Sequence, residues 1–249
     1  RNMIMGRGHS GTRILSSVCE KLGLNMGING DAVTGDVSNR KFQRKIIQIA
    51  FSSITDNGRI VSNEKNHVKF NKALWDYYLS IGKPDNMWGW KFPETYLISP
   101  YVFQCFPKAK FIHIIRDGRD ISFKKHLTDD PQKRLGKRIL NVMNALNLPH
   151  HKQAALSWDF QVKSFDYWRK KYSSVEILDI RFEDLCSESL QVGNQIADYL
   201  GKNLNDKVIT FLNNEINTRK IKQYKDNDFS KIDEVQHLIH DTLSKYKYI

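Results

Sequence analysis

The chain has 249 residues, 40% of them hydrophobic and 11% aromatic, which excludes a disordered polymer and is enough to bury a core without disulfide or metal staples. Lys and Arg number 39 against 27 Asp and Glu, a formal net charge of +12, so the expected partners are anionic: nucleotide, nucleic acid, sulfated or phosphorylated glycan, or a membrane surface. The three cysteines, Cys19, Cys105 and Cys186, are odd in number and far apart, which argues against a disulfide framework and a zinc site and fits a reducing, cytoplasmic setting. No apolar run reaches the ~18 residues of a membrane-spanning helix. The chain opens at Arg1, one step from a glycine loop, and its start is expected to be trimmed.

In chain order, "NMIM" (2–5) reads as a buried strand, followed by the glycine loop "GRGHSGTR" (6–13) and a helix. Ile14, Leu15, Val18, Cys19 and Leu22 share one face of that helix, and Gly23 stands where a helix C-cap belongs. Helices are expected over 41–56 and 70–82, and an apolar segment over 96–106 ends at Pro107. "KFIHII" (110–115) and "VEILDI" (175–180) are two further buried strands. The basic, poorly periodic region 126–151 between them reads as a mobile cover or a surface insertion. Helices follow over 153–172, 188–200 and, more weakly, 232–246. Strands separated by helical patterns give an α/β fold, a single domain over 1–249 with a central parallel sheet flanked by helices and a P-loop-like strand–loop–helix at the N-terminus.

The glycine loop poses the chemical question. Gly6 and Gly11 match the glycines of G-x-x-x-x-G-K-[ST], but Thr12 and Arg13 stand where the lysine and the Mg²⁺-binding hydroxyl belong. The backbone N–H groups from Gly8 to Arg13 and the following helix N-terminus can still hold an anion, with Ser10, Thr12 and Arg13 as added donors. A second charged motif, "RDGRD" (116–120), ends the strand 110–115, where ligands bind in open parallel sheets. Arg116 is suited to a phosphate, whereas Arg119 and Asp120 read as a structural ion pair.

Together these motifs resemble those of sulfotransferases that use 3′-phosphoadenosine 5′-phosphosulfate. That family pairs a 5′-phosphosulfate loop, [KR]-S-G-T-[TR], with a 3′-phosphate motif beginning R-D-x-R-D. "WGWKFPETY" (88–96) is similar to its W-x-K-[ED]-P segment, and "ILDIRFEDL" (177–185) to its R-Y-E-D-L segment. The resemblance spans about residues 3–225. It implies a co-substrate with a single 5′-phosphate bearing a sulfonate and no metal, for which the Walker lysine is unnecessary. It implies donor contacts from Gly8, His9, Ser10, Gly11, Thr12, Arg13 and Arg116, with Ser122 or Lys124 beside the 3′-phosphate. Lys91 matches the lysine near the sulfonate. The chain departs from the family at His9, at Lys124, at Phe92 in place of an acid, and in its late loop, which survives only as "RKIKQYK" (219–225).

For the reaction, Lys91 and His9 are expected to stabilise the sulfonate and the bridging oxygen, and Asp31 to take the acceptor proton, with Asp36 as the competing carboxylate. His113 reads as a core histidine, Trp158 and the Glu183–Asp184 pair as structural. His67, His126, His150 and His151 carry no motif. A carbohydrate hydroxyl is the expected acceptor, from the aromatic segments 67–90 and 153–172 beside a basic surface; no nucleic acid partner and no membrane segment is expected. The competing functions are a P-loop nucleotide or sugar kinase, which lacks its lysine here, and a polyanion-binding module, which leaves the charged strand ends unexplained.

Overall fold

Strand β1 (Asn2–Met5) is buried along its whole length and is paired on both sides, which explains why four apolar-rich residues suffice to define it. In the computed structural model of the chain, which describes residues 1–27, 35–85 and 87–249, it forms a parallel sheet with β2 (Gly89–Lys91), β3 (Lys110–Ile115) and β4 (Glu176–Arg181). The strand order is β2-β1-β3-β4. Asn2, Met3 and Ile4 lie opposite Gly89, Trp90 and Lys91 on one side, and Asn2 to Met5 lie opposite Lys110 to His113 on the other.

Side chains alternate across the pleat and build two cores. Met3, Met5, Phe111 and Ile115 join the cluster formed with α2 (Arg40–Ser53), α3 (Glu64–Ser80), α4 (Ser99–Cys105) and α7 (His150–Lys171). Ile4, Ile112 and Ile114 face the other cluster, under α1 (Thr12–Lys21), α8 (Phe182–Ser187), α9 (Ser189–Leu200) and α10 (Asp206–Glu215). All five apolar positions expected on the first helical face are buried, and Gly23 has φ +88 with the closing bonds Gly23 N–H to Glu20 and Leu24 N–H to Cys19. His113 is the core histidine expected: it is fully buried between the Tyr96 hydroxyl at 2.9 Å and Asp179 at 2.7 Å.

Several elements differ from the sequence reading. β2 has only three residues and was invisible as a strand. Region 126–151 is not irregular: it carries α6 (Arg134–Val142), whose Leu135, Ile139 and Leu140 are buried. The last expected helix is broken at Ile239 into α11 (Phe229–Leu238) and α12 (His240–Lys245). Arg119 and Asp120 do not pair with each other. Arg119 holds Asp117 at 2.8 Å, and Asp120 is held by Arg116 at 2.9 Å, because α5 (Gly118–Ser122) sets the i,i+4 pair face to face.

Trp90 is fully buried among Phe42, Tyr77, Trp88 and Phe106, with its indole N–H on Thr95 at 3.0 Å. It fixes β2 one residue before Lys91. Trp90→Ala is expected to cost about 3–5 kcal/mol, read as the shift in a urea unfolding curve.

Candidate active site

All four strands contribute to one cavity at the carboxyl edge of the sheet. The cavity is about 350 Å³ and is lined by Gly8, His9, Gly11, Thr12 and Arg13 after β1, Lys91 at the end of β2 and Pro93 just after it, Arg116 after β3 and Phe182 after β4, with Ile14, Asp36, His126 and Lys220 closing it. It lies where β1 leads to neighbours on opposite sides, the position at which open α/β sheets bind ligands. A larger cavity of about 760 Å³, beside Arg59, Tyr167 and Trp168, holds no residue of the glycine loop or of a strand end. Size and chemistry therefore disagree, and the chemistry locates the site.

The loop geometry explains its sequence. Gly11 caps α1 with φ +90, a left-handed conformation that glycine adopts without cost. Gly8 passes so close to the His126 ring that a Cβ would stand 2.3 Å from its Nε2. His9, at φ +69, is held in a conformation that non-glycine residues rarely adopt. Its Nε2–H donates to the Lys125 carbonyl at 2.9 Å, so the neutral ring presents Nδ1 as an acceptor. Burial, with repulsion from Arg7 and Lys124, lowers the His9 pKa and keeps that neutral form.

Arg116 is almost fully committed. Its Nε and Nη2 donate to Asp120, Nη1 donates to the His9 carbonyl at 3.1 Å, and Nη2 donates to the Lys220 carbonyl at 2.5 Å. Of five guanidinium hydrogens, one on Nη1 remains. The ring of Phe182 lies 4.2 Å below the guanidinium. Asp120 in turn accepts from the backbone N–H groups of Lys222 and Tyr224, which fastens the late loop over the site.

Lys91 is buried and pairs with Asp36 at 2.5 Å. Burial lowers the pKa of its ammonium, and the Asp36 carboxylate opposes that shift. Among the donor contacts expected from sequence, Gly8, His9, Gly11, Thr12, Arg13 and Arg116 line the cavity. Ser10, Ser122 and Lys124 are not among the lining residues. Ser122 is fully buried and donates to the Gly118 carbonyl at 2.6 Å, while Lys124 reaches Gln223 at 3.1 Å. Asp31 lies outside the described residues. Two cavity residues, His126 and Lys220, carried no assigned role. The signal for both was position: His126 closes the charged segment 116–126, and Lys220 lies inside the late loop "RKIKQYK". No group of three or more acidic, His or Cys residues suited to a metal occurs among the described residues, and no described helix is long and apolar enough to cross a membrane.

Behind the cavity wall, Arg7 is fully buried on Asp129, which also accepts from the His126 backbone N–H at 2.8 Å. Glu94 is 1% exposed and neither of its oxygens accepts a hydrogen bond from another described residue; His126 Nε2 lies 3.5 Å from Oε1. Burial, reinforced by Asp36, pushes its pKa up to about 7.

The sulfotransferase family model matches residues 34–206, so the chain belongs to the sulfotransferase family; the glycine loop lies upstream of the matched region. It is therefore a sulfonate-transferring enzyme. Its fold is similar to that of the sulfotransferase domain from the Synechococcus PCC 7002 olefin synthase, with a TM-score of 0.54 at 13% identity over 95% of this chain and 92% of that one. The sulfotransferase domain from the curacin biosynthetic pathway gives 0.51 at 13% identity over 96% of both chains. Sulfotransferase STF9 from Mycobacterium avium gives 0.53 at 11% identity over 98% of this chain and 76% of that one. No curated protein matches by sequence.

The Glu94 carboxyl yields a stability prediction with a definite sign. Below its ordinary pKa of 4.5 the group is neutral in both folded and unfolded chains. As pH rises toward 7 the unfolded chain releases the proton and the folded one retains it, so this group costs stability progressively, and fully above pH 7. Glu94→Gln is expected to be the more stable protein at pH 8, by up to about 3 kcal/mol, and to lose that advantage near pH 4.5, as read by denaturant melts at both pH values.

Proposed function

We propose that the chain transfers the sulfonate of 3′-phosphoadenosine 5′-phosphosulfate to an acceptor hydroxyl, and that residues 1–249 act as one sulfotransferase domain. The observation that carries this reading is the supply of cations around a glycine loop that lacks its own lysine: Lys91 enters from β2, Arg13 from α1, and Arg116 and Lys220 from the far side. Loop N–H groups of residues 8–13 and the α1 N-terminus suit a 5′-phosphosulfate. Arg116, with one hydrogen to spare, and Lys220 suit the 3′-phosphate, with Ser122 and Lys124 contributing only through rearrangement of their present bonds. No step needs a metal.

In the reaction, an acceptor oxygen attacks sulfur and forms the new S–O bond. The S–O bond to the 5′-phosphate breaks, and its electron pair stays on the phosphate oxygen. Lys91 offsets charge on the sulfonate. A bound anion raises the proton affinity of His9, and the imidazolium so formed donates from Nδ1 to the leaving oxygen. Asp31 is the proposed base, with Asp36 the competitor because it stands in the cavity on Lys91. The acceptor we favour is a carbohydrate hydroxyl, supported by the exposed aromatics Trp75 and Tyr167 and the +12 charge. Three free cysteines accord with a cytoplasmic setting.

Adenosine 3′,5′-bisphosphate, in chelator, is expected to stabilise the protein by about 2.7 kcal/mol at a hundred times its Kd, and ATP–Mg²⁺ much less. A larger shift with ATP–Mg²⁺ in a thermal melt would favour the kinase reading.

Lys91→Ala is expected to lower turnover while leaving bisphosphate affinity within a few-fold. Asp31→Asn should lower turnover by about 10²–10⁴ if Asp31 is the base, and Asp36→Asn far less. The reverse order, in steady-state rates with a sugar acceptor, moves the role to Asp36.

A further inference from the structure

Glu94 is a buried carboxyl behind the cavity wall that no step above uses. It sits in the 3₁₀ turn Pro93–Ile98, immediately after Pro93, which lines the cavity. A buried carboxylate is ordinarily satisfied by two or more donors. Glu94 has none from any other described residue and only its own backbone N–H faces it, although Arg7 Nε, also buried and without a partner, belongs to the same cluster. The charged and titratable groups around it are Lys91 from β2, Arg7 from the glycine loop, His126 from the segment after α5 and Asp36 from the segment beside β2. Asp129 is already committed to Arg7.

The bonds of His126 show what Glu94 meets. Gln161 Nε2 donates to Thr128 Oγ1 at 3.2 Å, which leaves the Thr128 hydroxyl proton to donate to His126 Nδ1 at 2.8 Å. The neutral ring then carries its proton on Nε2, the atom 3.5 Å from Glu94 and in contact range of the Gly8 backbone. Burial, with repulsion from Arg7, holds His126 well below its ordinary pKa, so the ring supplies Glu94 with no full positive charge. The carboxyl is thus a negative charge set one residue layer behind an anion site, with too few donors to hold it.

We propose that Glu94 couples donor binding to proton uptake: its carboxylate, buried behind Lys91 and His126, opposes the nucleotide until a proton from solvent neutralises it. The inference rests on the nucleotide reading. When the anionic nucleotide enters, the ionised carboxyl is disfavoured further and binds H⁺; when the nucleotide leaves, that proton is released. Glu94 is a positioning residue, acting on the nucleotide through the charge it adds to or removes from the wall that Lys91 and His126 form. Between pH 7 and 8.5 the nucleotide phosphates, whose second pKa is about 6, are fully ionised, so the ligand itself contributes little.

The experiment is isothermal titration of adenosine 3′,5′-bisphosphate in buffers of different ionisation enthalpy, at pH 7.0, 7.75 and 8.5, on the wild-type chain and on E94Q. The wild type is expected to take up roughly one proton per nucleotide at the upper end of this range, and its Kd to rise about tenfold from pH 7 to 8.5. E94Q is expected to take up about one proton fewer at the upper end of this range and to lose most of the rise in Kd, keeping only the uptake that belongs to His9, which is largest at pH 7.0. Equal uptake in the two proteins would assign it to Lys91, His9 or His126 and overturn the coupling while the nucleotide reading stands. No uptake by the wild type would overturn it without need of the variant. No bisphosphate binding at any pH would overturn the nucleotide reading and the coupling with it.

Discussion

The site depends on a single guanidinium. Arg116 ends β3 and ties together segments more than a hundred residues apart: the glycine loop through the His9 carbonyl, α5 through Asp120, and the late loop through the Lys220 carbonyl. Its face rests on Phe182, the first residue after β4. Asp120 extends the tie to the backbone of Lys222 and Tyr224. Removing one partner from such a buried pair costs far more than the pair contributes, because the remaining charge is left without compensation. The late loop, which retains little of the family pattern, is held here by hydrogen bonds to its backbone, which its side-chain sequence does not alter.

The constraint also explains the missing lysine. A Walker loop carries its cation within the loop, whereas here the cations enter from other strands and meet the loop at the sheet edge. Lys91 is delivered by β2, which Trp90 and its aromatic neighbours lock in place. Asp36 lowers the electrostatic cost of burying that ammonium. The price is a crowded wall in which Arg7, Asp129, His126 and Glu94 are packed with several polar atoms unpaired.

Much of this was legible from residue order. β1, β3 and β4 announce themselves as apolar runs bounded by charge, and the helical stripes of α1 and α7 are continuous. The glycine loop and Arg116 were readable as chemistry because each follows an apolar run, and Lys91 only through the resemblance of "WGWKFPETY" to a family segment. β2 was not, since three residues make no pattern; its strand character comes from pairing with β1. α6 was missed because its short apolar set, Leu135, Ile139 and Leu140, is interrupted by basic residues that face solvent. Arg119 and Asp120 were expected to pair with each other because local spacing allows several pairings; only the fold shows that Arg119 takes Asp117 and Arg116 takes Asp120. His126 and Glu94 act through contacts between distant segments, although an acid following "WGWKFP" in an apolar run was itself an anomaly worth noting.

The most direct test of the central claim is a crystal structure of the chain with adenosine 3′,5′-bisphosphate. The account predicts the 5′-phosphate on the backbone N–H groups of residues 8–13 within reach of Lys91, the 3′-phosphate between Arg116 and Lys220, and no metal between them. A nucleotide bound elsewhere, or one whose phosphates reach the loop only through a metal ion, would contradict it.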